Sequence, residues 1–231
     1  ISATDASLTS GSSMNVAGDM TIADALVLDA TGAMTVAGTT SANSVAFTSD
    51  STMIITGATS ATTTMNLDSA LLMTVTGDLS AASITATSNA GMTAQGNITG
   101  SNNLVLNAVG AMNVTGNLGS AVIDVNATDS FTLAGNINGT TVTVDSGKAM
   151  SVTGNTVATT LAMTSLDAIT VAGNLTTTST MNLSSVKATA ITGNISASTL
   201  TAVSSDSLAV TGNISATDAS LTSGSSMNVA G

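Results

Sequence analysis

Glycine returns along this chain at a spacing that leaves few folds open. It closes a phrase best seen at Met112-Asn113-Val114-Thr115-Gly116-Asn117-Leu118, which recurs as Met14-Asn15-Val16-Ala17-Gly18-Asp19-Met20 and Ile169-Thr170-Val171-Ala172-Gly173-Asn174-Leu175. The phrase glycines are Gly18, Gly38, Gly57, Gly77, Gly96, Gly116, Gly135, Gly154, Gly173, Gly193, Gly212 and Gly231, separated throughout by 19 or 20 residues. A repeat this short cannot bury a hydrophobic face alone, so successive repeats must stack as the coils of a solenoid.

Offsets from the glycine say what each coil is made of. Four before it stand Met14, Met34, Met53, Met73, Met92, Met112, Phe131, Met150, Ile169 and Leu208, with Thr189 the polar exception. Two before are Val16, Ile55, Leu133 and Ile191; two after are Leu79, Ile98, Ile137 and Ile195. Small residues such as Ala61, Ala81, Gly100 and Ala197 lie four after. Ten and twelve before are apolar pairs such as Leu26 and Leu28, Val45 and Phe47, or Leu104 and Leu106, and eight before is Ser or Ala in every coil. All these offsets are even, which is the period of a β-strand with one buried side. Apolar residues at the three- and four-residue intervals of a helix are absent. Three such segments per coil predict an all-β fold, a three-sided parallel β-solenoid of 19–20-residue coils, about twelve in number.

The placement puts all 12 Met and both Phe (Phe47 and Phe131) inward and all 13 Asp outward or in turns. The Ser/Ala column falls at a corner too tight for larger side chains, its hydroxyls bonding to one another or to backbone. Length varies in one turn only: Asn43-Ser44 in a 19-residue coil corresponds to Ser101-Asn102-Asn103 in a 20-residue one.

Two outward columns are candidate functional features. Asn97, Asn117, Asn136, Asn155, Asn174, Asn194 and Asn213 each follow a phrase glycine. They are expected to form an Asn ladder of stacked amides, with the Gly-Asn corner taking left-handed backbone. Asn97, Asn174, Asn194 and Asn213 also head Asn-x-Ser/Thr triplets, matches that a chain rich in Ser and Thr yields by chance. Six before the glycine, successive coils carry Asp129, Lys148, Asp167, Lys187 and Asp206, a charge ladder of alternating sign. Exposed pairs of this kind contribute only about 0–1 kcal/mol each, so the ladder bears more on register than on stability.

Composition narrows the chemistry. The net charge is −11, with two Lys (Lys148 and Lys187), no Arg, no His and no Cys. Binding of nucleic acid needs Lys and Arg against phosphate, so nucleic acid is excluded as a partner. No apolar run reaches the roughly 20 residues of a membrane span, so no membrane insertion is expected. Without His or Cys the usual general bases and nucleophiles are missing, and no enzyme activity, cofactor or metal site is expected. Asp124 and Asp145 approach each other on adjacent coils and read as solvated charge before a weak cation site. The Met column reads as core before a soft-metal channel. Outward Thr-x-Thr, the mark of some ice-binding solenoids, occurs in the phrase only at Thr74-x-Thr76.

Residues 1–18 are repeated without change at 214–231, a shift of 213 residues. The expectation is one continuous uncapped solenoid over 1–231, an excerpt from a longer array with a 213-residue super-repeat. Eleven coils at about 4.8 Å each make a rod of about 53 Å per super-repeat.

Coils of this length, punctuated by Gly-Asn and poor in Arg, resemble the β-helical repeats of filamentous-haemagglutinin-like bacterial adhesins and other giant repetitive surface proteins. The resemblance spans the whole chain and is one of period and composition. It implies a secreted, cell-surface or matrix-forming shaft, extracellular, with itself as partner through head-to-tail continuation and lateral bundling. The alternative is an adhesin or ice-binding module using an outward face, with Ile54, Leu71, Leu72 and Leu166 as contacts and a surface or glycan as ligand.

Overall fold

The computed structural model describes every residue from Ile1 to Gly231. It contains strands and turns and no helix, and the strands pair in parallel with those one coil away. The result is a parallel β-solenoid, as the even offsets imply. Each coil supplies three inward-facing segments. The first, such as Met112–Val114, ends two residues before the glycine and belongs to a 12-stranded sheet. The second and third form one bent strand in most coils, such as Leu118–Ala127, and two in others, such as Leu175–Thr177 and Thr180–Ser185. Together they build a 16-stranded sheet that folds around the core.

Two successive exposed residues, Ala121 and Val122, mark the bend in Leu118–Ala127, because period-two alternation must break where the chain turns. Here the longer coils place their extra residue. Between Thr99 and Asn103 the register against the next coil shifts, so Ser101-Asn102-Asn103 is a bulge at a solvent-facing bend.

Like stacks on like inside. Met73, Met92 and Met112 are in register on successive coils, and Phe131 lies between Met112 and Met150. The cluster of 56 buried apolar residues runs the length of the rod. Burial of that area from water is the main stabilising term, delivered coil by coil at each interface. The terminal coil 214–231 is covered on one side, and Met227 and Val229 are exposed in it.

The phrase glycine is dictated by contact between coils. A Cβ on Gly116 would sit 2.1 Å from the carbonyl oxygen of Gly96, and one on Gly57 2.1 Å from that of Gly38. Every phrase glycine after Gly18 meets the backbone of its predecessor in this way, whereas a Cβ on Gly18 meets nothing within 4 Å. The corner has two forms. Up to Gly116, the residue before the glycine donates its N–H to the preceding coil, as Thr115 does to Ala94 O. From Gly135 on, the glycine itself donates to the following coil, as Gly135 does to Thr153 O, and the first strand gains a residue, as in Phe131–Ala134. Gly154, Gly173, Gly193 and Gly212 there have φ of 140, 157, 149 and 144°, which L side chains rarely adopt.

At the Ser/Ala corner the hydroxyls go to backbone. Ser88 Oγ donates toward Leu71 O (2.6 Å) in the coil before and Gly91 O (2.8 Å) in its own, and Ser165 does the same toward Lys148 O and Ala168 O. Leu71 O and Lys148 O, which accept no backbone N–H, are thereby satisfied, while Gly91 O and Ala168 O also accept from Met73 N and Met150 N. Ser185 differs because it serves Thr189, the polar member of the Met column. The two hydroxyls lie 2.8 Å apart in the core, so the exception is hydrogen-bonded. Thr40, Thr59, Thr156, Thr177 and Ser120 are buried with hydroxyls that have no partner.

Gly116→Ala is expected to destabilise the rod by about 3 kcal/mol or more, while Gly119→Ala, whose Cβ would meet only the Thr99 methyl at 3.9 Å, stays within about 0.5 kcal/mol of the parent; equal effects in thermal melts would contradict the glycine contact. Thr156 is stacked between Ile137 and Leu175, so Thr156→Val should stabilise by about 1 kcal/mol, by removing an unpaired buried hydroxyl. Denaturant titration reads that gain.

Candidate functional site

The Asn column lies at the corner where the first face turns into the second. Its chemistry is a relay to backbone. The N–H of Asn117 donates to Asn97 Oδ1 (3.0 Å), that of Asn136 to Asn117 Oδ1 (2.8 Å), and that of Asn155 to Asn136 Oδ1 (2.8 Å). Asn174, Asn194 and Asn213 continue it at 2.9, 2.8 and 2.9 Å. Meanwhile the carbonyl of each Asn accepts from the previous coil, as Asn117 O does from Ile98 N. The side-chain oxygen thus supplies the acceptor that the corner N–H would otherwise lack.

This differs from a ladder of amides bonded to one another: Asn117 Nδ2 to Asn97 Oδ1, at 2.9 Å, is the one amide–amide bond in the column. Nor do the asparagines take left-handed backbone; no residue other than glycine has positive φ. At Gly154, Gly173, Gly193 and Gly212 it is the glycine that takes the unusual dihedral.

The relay uses only the acceptor oxygen, so Asp serves as Asn does. Asp78 Oδ1 starts the seven-residue run by accepting from Asn97 N at 2.7 Å. Asp19 Oδ1 accepts from both the N–H and the hydroxyl of Thr39, at 2.7 and 2.8 Å. Those two bonds, the hydroxyl first, hold the Asp19 carboxyl below its ordinary value. Both Asp residues were findable from sequence, because each follows a phrase glycine as the asparagines do.

The charge column resolves into pairs. Lys148 Nζ lies 3.0 Å from Asp129 Oδ1, and Lys187 Nζ 3.0 Å from Asp167 Oδ2. Each lysine reaches toward the preceding coil, and Asp206 instead accepts from Ser225 Oγ at 2.8 Å. Lys148 and Lys187 keep 65 % and 63 % of their side chains in water, so the pairs remain open to further partners.

Asp124 and Asp145 form no cation site with a third ligand. Asn126 Nδ2 donates to Asp124 Oδ1 (3.1 Å) and to Asn107 Oδ1 (3.0 Å), while Asp145 stands in register with Asn126. Nowhere do three or more acidic side chains gather as a metal site would require. No helix is long and apolar enough to cross a membrane.

Of three shallow hollows in the surface, the two larger lie at bends of the coil. One of about 580 Å³ follows the Asn column beside Gly119, with Asp78, Asn97, Asn136 and Asn138 on its walls. The other, about 450 Å³, lies at the Ser/Ala corner between Thr128, Gly147 and Leu166. Their walls offer hydrogen bonds and apolar contact, and no paired acid and base for proton transfer.

No family model matches the chain, and no curated protein or solved structure is significantly similar to it.

Asn136→Ala leaves the Asn155 N–H without its acceptor and is expected to cost about 1 kcal/mol, whereas Asn136→Asp keeps an acceptor oxygen and costs less than half of that. Thermal melts of the two variants check the relay; a larger loss for Asp would speak against it.

Proposed function

We propose that this chain is a structural protein, a β-solenoid rod serving as the shaft of an extracellular filament, fibre or stalk at the cell surface or in a matrix. The observation that carries the reading is how the functional groups are spent. Asn and Asp oxygens, Ser hydroxyls and both lysines are engaged in holding one coil on the next. What is left over is a periodic surface of mostly uncharged side chains with scattered Asp, suited to length rather than to turnover of a substrate. The partner is the same kind of coil, stacked head to tail in the parallel register that the coils within the chain already keep. The likeness to the repeats of filamentous-haemagglutinin-like adhesins supports the same role. Two lysines and no arginine leave few trypsin-type cleavage points, which suits an exposed fibre.

An adhesin or ice-binding module is the second reading. It is favoured by Leu71 and Leu72, exposed to 49 % and 55 % on neighbouring positions of one turn, an apolar pair that a solitary rod has no use for.

Electron microscopy of the purified chain tests the first reading. End-to-end threads are expected, lengthening in steps of about 58 Å, twelve coils at about 4.8 Å. Single short rods at every concentration would overturn it.

A further inference from the structure

The corner between the third and first faces carries features that stacking does not use. Leu166 is 64 % exposed and Val186 52 % exposed on adjacent coils there. The two coils before them offer Thr128 and Gly147 at the same offset, and the missing side chain of Gly147 opens the 450 Å³ hollow beside Leu166. One residue further on runs the charged series Asp129, Lys148, Asp167, Lys187. An exposed leucine thus stands one coil after a hollow at Gly147, beside charges that alternate.

From this arrangement we infer that two copies of the rod pair side by side, antiparallel, through this corner. A two-fold axis perpendicular to the rod, passing between the levels of Lys148 and Asp167, makes the surface self-complementary. It sets Lys148 opposite Asp167 and Asp129 opposite Lys187, each contact occurring twice. It also sets Leu166 opposite the hollow at Gly147, and Val186 opposite Thr128. Charge alone also allows the neighbouring axes, between the levels of Asp129 and Lys148 and between those of Asp167 and Lys187. The former would set Leu166 opposite the exposed Val109 and the latter opposite Val186, bump against bump, so shape selects the first axis. The residues flanking the charged column on its other side, Ser130, Ala149, Ala168 and Ala188, are small and uncharged and let the two corners approach. Lysines that are mostly in water can bridge to a second carboxylate without giving up the first. The contact spans four coils, roughly 19 Å of rod, so a single copy is held weakly and a long fibre is held by repetition.

This deepens the fibre reading by naming what lies beside the rod, and its test separates the two. A Thr128→Cys chain is mixed with a Val186→Cys chain and treated with a short bis-maleimide; the native sequence has no Cys to interfere. Heterodimers are expected from that mixture. Leu166→Asp introduced into both chains should lower their yield at least about tenfold, as expected when a charge is set in a desolvated contact. In micrographs Leu166→Asp should leave threads of single width where the parent shows paired ones. Absence of cross-links with Thr128→Cys and Val186→Cys would overturn the pairing. So would cross-links arising instead between Leu166→Cys and Val186→Cys chains. Short rods that never join end to end still report on the cross-link, so loss of the fibre reading is distinguishable from loss of this one.

Discussion

The contact on which the rod depends is glycine against glycine. At each phrase corner the carbonyl of one glycine occupies the space where a Cβ on the next would lie, as Gly96 O does beneath Gly116. Stacked strands approach within about 4.8 Å, and at a corner the backbone is turned so that this spacing leaves no room for a side chain. Glycine recurs every 19 or 20 residues because coils of that length return the chain to the same corner. Once that column is in place, the strands on either side are in register, and Met, Val, Leu and Ile fall into their own columns.

Corners are also where a parallel solenoid risks unpaired backbone, and polar side chains answer that risk. Asn and Asp oxygens accept the N–H after the glycine, and Ser hydroxyls bond the carbonyls at the opposite bend. This explains a composition that is rich in short polar residues and nearly without long charged ones. Long side chains reach solvent, whereas short ones reach the backbone of an adjacent coil. The same economy leaves few groups for chemistry with anything other than another coil, and the proposed side-by-side pairing draws on those few.

Much of this architecture was legible in the sequence because burial in a strand has a period of two, and even offsets from Gly116 or Gly173 need no structure to be counted. Ser101-Asn102-Asn103 could be placed at a solvent-facing bend for the same reason. Atom-level roles were not legible. An offset says that Asn136 lies over Asn117, but not that Asn117 Oδ1 takes a backbone N–H in place of an amide. Nor does alternation of charge reveal that both lysines lean toward the preceding coil, a choice set by side-chain reach. The change of corner near Gly135 is invisible because the phrase reads alike on both sides of it; it shows in the backbone hydrogen bonds and, from Gly154 on, in the glycine dihedral. Residue columns follow from periodicity; the direction of hydrogen bonds follows from local geometry that periodicity does not encode.

Distances along the rod test the central claim most directly. Nitroxide labels on cysteines placed at Ser60 and Asn138, and in a second variant at Ser60 and Ser196, occupy the same outward column four and seven coils apart. Pulsed electron resonance should give narrow distributions near 19 Å and 34 Å, a gain of about 4.8 Å for every coil. Broad distributions, or a separation that does not grow with the number of coils between the labels, would contradict a solenoid stacked on its glycine column.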